Sequence, residues 1–191
     1  LKRILLLILT CFVFLTGCMQ DNTRIINKIK NNYDKSIGYE TEAEISINTD
    51  SKESQYRVKE KHIKGDKSKL EFIKPNTSKG ITIEYEKDKI FLNHASIKQS
   101  ISLRTIKKLD KGILLEEFFE DMQSIRGINK EKIGNREYYV INYTSKSRNK
   151  YNKEKIIYLE KRALKPYMMK VIDKNNNTRA TIRYKKFKYI K

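Results

Sequence analysis

Tryptophan is absent from the 191 residues, histidine, cysteine and proline occur twice each, and glycine seven times. Each scarcity removes a class of chemistry. The histidines, His62 and His94, sit on separate predicted strands, and there is no His-x-x-x-His or Cys-x-x-Cys pair. A zinc site commonly takes roughly three or four His, Cys or carboxylate ligands, so no metal is expected. The glycines all fall near turns, which leaves no phosphate-cradling loop, and no Gly-x-Ser-x-Gly nucleophile elbow is present. Sparse proline and glycine also mean no flexible or stiff linker, hence no second domain. Without tryptophan, the twelve tyrosines must supply much of the large core volume; Tyr138, Tyr139 and Tyr143 form one group, Tyr184 and Tyr189 another.

Long hydrophobic runs are equally scarce. The one candidate, Ile4 to Leu15, is apolar apart from Thr10 and follows Lys2 and Arg3. A bilayer core takes about twenty residues in a helix, so this run is too short to span comfortably and fits a signal-peptide h-region. Leu15-Thr16-Gly17-Cys18 follows it. That tetrapeptide resembles the lipobox of bacterial lipoproteins, in which cleavage falls between Gly17 and Cys18 and the cysteine becomes the lipid-bearing N-terminus. The resemblance implies residues 1–17 as signal peptide, 18–24 as a lipidated tether and 25–191 as one domain. Cys11 then leaves with the signal, and Cys18 is consumed by lipid. No disulfide and no cysteine metal site remain.

Charge is strongly one-sided: 42 Lys and Arg against 23 Asp and Glu, a formal +19 that falls to +17 when Lys2 and Arg3 leave with the signal. Nucleic acid is the usual partner of such a balance. Export argues against it, and favours anionic lipid headgroups, wall polymers or an acidic protein surface. The basic residues are scattered, in keeping with a composition rich in Lys, Ile and Asn.

Ile25, Ile29, Tyr33 and Ile37 recur every fourth residue and predict an amphipathic helix, capped by Asp21 or Thr23 and ended at Gly38. The period then becomes two. In YETEAEISINT, Tyr39, Thr41, Ala43, Ile45 and Ile47 share one side, and Glu40, Glu42, Glu44, Ser46 and Asn48 the other. After a turn over NTDSKES, strand signals continue through residues 55–74, a hairpin over 80–94 turning at Lys87-Asp88, and IKQSISL. A second helix is expected from Leu114, Leu115, Phe118, Phe119, Met122 and Ile125, closed by Gly127, with Glu116, Glu117, Glu120 and Asp121 on a solvated face. Strands resume to the end. In the last one the apolar phase moves from Ala180, Ile182 and Tyr184 to Phe187 and Tyr189, which implies a bulge near Lys185-Lys186. The expected fold is α+β: a curved antiparallel sheet forming a half-barrel, with two helices on its concave face.

A lipobox, a first helix, the strand YETEAEISI, mid-chain hairpins, a mid-chain helix and the closing LKPYMMKVIDKNNNTRATIRYKKFKY together resemble the LolA/LolB lipoprotein superfamily. Within it, size and composition resemble the clostridial spore germination lipoproteins, which work with a cortex-modifying N-acetylmuramoyl-L-alanine amidase. The resemblance implies a non-enzymatic lipoprotein anchored outside the cytoplasmic membrane, in a spore former in the intermembrane space or cortex region. Its partners would be membrane lipid through Cys18 and the amidase, with a homo-oligomer compatible. The alternative is a lipid or lipoprotein carrier, whose concave sheet would hold acyl chains. Glu60, His62, Gln99 and Asn142 stand in phases otherwise held by apolar residues and argue against a continuous acyl-sized cavity. No catalytic residue and no cofactor is expected.

Overall fold

A computed structural model describes residues 21–49, 52–86, 89–104, 111–149 and 151–191. The proposed signal peptide, Cys18 and the Lys87-Asp88 turn lie outside them. Eleven strands form one antiparallel sheet: β1 Gly38–Asn48, β2 Glu53–Ile63, β3 Lys67–Lys74, β4 Ile81–Glu86, β5 Lys89–His94, β6 Ile97–Arg104, β7 Ile125–Ile133, β8 Arg136–Asn149, β9 Asn152–Glu160, β10 Pro166–Ile172 and β11 Thr178–Ile190. Their spatial order is β6-β5-β4-β3-β2-β1-β11-β10-β9-β8-β7. The chain lays down two meanders of hairpins, and the first and last strands join them at the centre.

Helix α1 occupies residues 21–34, so Asp21 and Thr23 lie within it and do not cap it, and it ends before Gly38, which already opens β1. Gly38 is required there: a Cβ at this position would run into the carbonyl oxygen of His62 on β2. The second helix is far shorter than its periodicity suggests. A 3-10 turn (Lys111–Ile113) leads to α2 (Glu116–Glu120), another 3-10 turn follows (Met122–Ser124), and Ile125 and Gly127 are already in β7. The spacing of Leu114, Leu115, Phe118, Phe119 and Met122 is real, but it serves a compact plug of turns.

The sheet alternates as β1 requires. Tyr39, Ala43 and Ile45 are buried with Ile25, Ile29 and Tyr33 of α1 and Leu114, Leu115, Phe118 and Phe119 of the plug. This inner, concave face also holds Leu70, Ile141, Tyr143, Ile157, Leu159 and Met169. Aromatic rings fill its centre: Phe119 stacks on Tyr33 at 4.9 Å between centroids and lies 5.5 Å from Tyr39, which stacks on Phe187 at 5.6 Å. Tyrosine thus does take the place of tryptophan in the core. The bulge falls at the expected place. Glu42 pairs with Lys186 and Ala43 with Tyr184, leaving Lys185 extra and returning Phe187 to the inner face.

Candidate functional site

The inner face contains charge as well as rings. Glu60 and His62 follow Tyr56 and Val58 in the inward phase of β2, and both are 2% exposed. Tyr39 donates its hydroxyl proton to Glu60 Oε1 at 2.5 Å, and the Leu115 N–H donates to the same oxygen at 3.1 Å. The carboxyl therefore binds the residue that opens α2, which offers no side-chain cap of its own. Burial pushes the Glu60 carboxyl up to about 7, against those two hydrogen bonds, which favour the charged form.

Beside it runs a chain of four side chains. Glu116 accepts from Ser68 Oγ at 2.5 Å, His62 Nδ1 lies 2.9 Å from Ser68 Oγ, and Tyr33 Oη lies 2.9 Å from His62 Nε2. Ser68 donates to Glu116, His62 Nδ1 faces the Ser68 oxygen, and Nε2 faces the Tyr33 hydroxyl, with the Glu116 and Glu120 carboxylates 3.9 and 3.8 Å from the ring nitrogens. A serine nucleophile needs its hydroxyl on the imidazole's accepting nitrogen, with the carboxylate beyond the histidine. Here the serine stands between histidine and carboxylate and is 1% exposed. The arrangement ties α1, β2, β3 and α2 together, and its order is not that of a serine–histidine–carboxylate triad.

A second polar node lies on the other side of α2. Lys155, fully buried on β9, donates from Nζ to Glu117 Oε2 at 2.6 Å. Ser145 donates to both Glu117 oxygens at 2.9 and 3.0 Å, and Tyr143 donates to the Glu117 carbonyl at 3.1 Å. Asp121 is buried as well and accepts from Ser124 Oγ at 2.6 Å. Of the four carboxylates expected on a solvated face, only Glu120 is exposed. The correction has a physical cause: α2 is a single short turn set against the inner face of the sheet, so most of its carboxylates meet strand side chains rather than water.

The other expected positions resolve simply. His62 is buried, in the inward phase, and His94 is half-buried at the β5–β6 turn, where its Nδ1 accepts the Ser96 N–H at 3.2 Å. Asn142 alternates with the inward Ile141 and Tyr143, so it lies on the outer face beside Val140 and reduces no inner cavity. Gln99 lies on β6. Among the described residues no group of three His, Cys, Asp or Glu is placed to hold a metal. On the outer face Glu40, Glu42 and Glu44 pair with Lys188, Lys186, Lys185 and Arg57 at 2.8 to 3.2 Å. Sequence reading missed the Glu117–Lys155 pair, although Lys155 shares the inward phase of Ile157 and Leu159. A lysine in an apolar phase calls for a buried acid.

Glu60 yields a pH prediction. Its folded pKa, near 7, lies above its ordinary value of 4.5, so the native state holds a proton that the unfolded chain releases. The contribution is fully present below about pH 4.5 and is lost as pH rises through about 7. Glu60→Gln keeps an acceptor for Tyr39 and Leu115 and removes the titration. Urea melts from pH 4.5 to 8 are expected to show the native protein losing a few kcal/mol relative to Glu60→Gln, at ~1.4 kcal/mol per pH unit. Parallel curves for the two would refute the assignment.

An open antiparallel half-barrel, its hollow plugged by one long and one short helix, defines the LolA-like fold class. Solved structures agree at the level of fold. They include an uncharacterized conserved protein of Thermus thermophilus (10% identity over 88% of this chain and 87% of that one, TM-score 0.56) and a putative outer-membrane lipoprotein-sorting protein domain of Vibrio parahaemolyticus (13%, 87% and 91%, 0.50). A third is from the complex of the CwlD amidase with the GerS lipoprotein of Clostridioides difficile (24%, 87% and 95%, 0.52). No curated protein matches the sequence. The chain belongs to the sporulation protein YdcC-like family, whose model matches residues 1–191.

Proposed function

We propose that this protein is exported, anchored through Cys18 on the outer side of a bacterial membrane, and acts there without catalysis of its own. Its role is to bind and assist an N-acetylmuramoyl-L-alanine amidase that modifies the spore cortex. Membership of a sporulation family and the fold shared with the amidase-bound GerS complex support this reading. The observation that carries it is at one edge of the sheet. β6 is a terminal strand, and a row of apolar side chains leads to it: Ile83 pairs with Leu92, and Leu92 with Ile101. Leu92 is 36% exposed and Ile101 57%. A strand that is terminal among the described residues, beside exposed apolar side chains, suits docking by strand addition. The same row lies on the inner face and is what favours the alternative, a lipid or lipoprotein carrier.

The test mixes the chain from Cys18 onward with an amidase from the same genome and scores muropeptides. Residues 21–191 contain the sheet, both helices and the core, so this form keeps the fold. The protein alone should release nothing, the amidase alone little, and the mixture more. Ile101→Asp should weaken the complex roughly 10- to 100-fold, the range of a central interface residue, while leaving the melting temperature unchanged. Absence of a complex would refute the reading. Cleavage by this protein alone would make it an enzyme, and a stoichiometric lipid in native mass spectra would favour the carrier.

A further inference from the structure

A cleft of ≈ 290 Å³ opens between the start of α1 and the β9–β10 turn, lined by Asp21, Arg24, Lys28, Tyr139, Lys161 and Arg162 among others. Its charges are not balanced. Asp21 is already paired with Lys130 at 3.1 Å, and Lys161 with Glu137 at 2.8 Å. Among the described residues no carboxylate stands within ion-pair distance of Arg24, Lys28 or Arg162, all three of them exposed. On the outer face, by contrast, the carboxylates of Glu40, Glu42 and Glu44 stand among the lysines and each holds a Lys or Arg. A concave site with three uncompensated cations is built to receive an anion.

Its position says which one. Asp21 borders the cleft and lies three positions beyond Cys18, a reach of at most about 11 Å. A lipid on Cys18 sits at the boundary of headgroups and acyl chains, so that boundary can be no more than a headgroup layer away from Arg24 and Lys28. We infer that this cleft is a docking site for anionic phospholipid headgroups, and that it seats the domain on the membrane in one orientation. The inference rests on the reading of Cys18 as lipid-bearing. In that orientation the α1 start and the β9–β10 turn face the bilayer. The β10–β11 turn, residues 173–177, lies at the opposite ends of the strands and points away from it.

The experiment uses the chain from Cys18 onward with its thiol free, and phosphatidylcholine vesicles with or without phosphatidylglycerol. Binding is expected to the anionic vesicles only, and to be lost at high salt. The variant Arg24→Glu, Lys28→Glu, Arg162→Glu should lower the partition coefficient about 100-fold or more, from the usual contribution of a basic residue near an anionic surface. Lys59→Glu, Lys61→Glu, Lys188→Glu, on the outer face, should leave it at the native level, and unchanged circular dichroism shows that both variants fold. Equal loss in the two variants, or sedimentation with purified peptidoglycan but not with vesicles, would overturn the site. Fatty-acid labelling of Cys18 in cells is read separately. Failure of labelling with vesicle binding retained would remove the anchor and leave the headgroup site standing.

Discussion

Glu117→Ala is expected to destabilise the protein by about 3–5 kcal/mol, because it leaves the Lys155 ammonium buried without its counter-charge. Lys155 is 0% exposed and Glu117 is 11% exposed, so water is poorly placed to replace the carboxylate. At this chain length each kcal/mol moves the midpoint roughly 2–4 °C, which puts the loss near ~10 °C. Calorimetry measures it directly. The double variant Glu117→Leu, Lys155→Met removes both charges and should recover much of the loss, since desolvation offsets most of the attraction in a buried pair. Glu137→Ala, which breaks an exposed pair with Lys161, sets the scale for a surface contact, at ~0–1 kcal/mol. If Glu117→Ala is no worse than Glu137→Ala, the pair is not structural.

Cys18→Ala should have the largest effect on location. On the proposed reading of Cys18 as lipid-bearing, two long acyl chains, at ~0.8 kcal/mol per buried CH₂, would contribute more than ~10 kcal/mol to anchoring. No cluster of surface lysines approaches that value. The variant is expected to take up no fatty-acid probe and to remain as unprocessed precursor or to leave the membrane fraction. Undiminished labelling would mean that another residue carries the lipid.

The strands were legible in the sequence because alternation in β1 is nearly perfect and needs no knowledge of its neighbours. The bulge at Lys185 was legible for the same reason: a change of phase within one strand is a local fact. The α2 region misled because Leu114, Leu115, Phe118, Phe119 and Met122 fit a helical period, while the reason the chain turns away lies in strands far along the sequence. Glu116 meets Ser68, and Glu117 meets Lys155, partners 48 and 38 residues away. No spacing rule reaches across such gaps. The basic cleft was hidden likewise: Arg24, Lys28 and Arg162 look like three of many scattered cations until the fold brings two ends of the chain together.

The pairing of β1 with β11 bears on how the protein is made. Gly38 lies opposite Ile190, so the central seam of the sheet joins residues about as far apart as the chain allows. A chain emerging from a ribosome presents β1 long before β11 exists. Until then β1 has only β2 beside it, and the two halves of the sheet have no common spine. Loop closure over such a distance makes the seam a late and slow event. Until β11 has been made, the polypeptide can complete only two separate meanders, and the spine that unites them forms last.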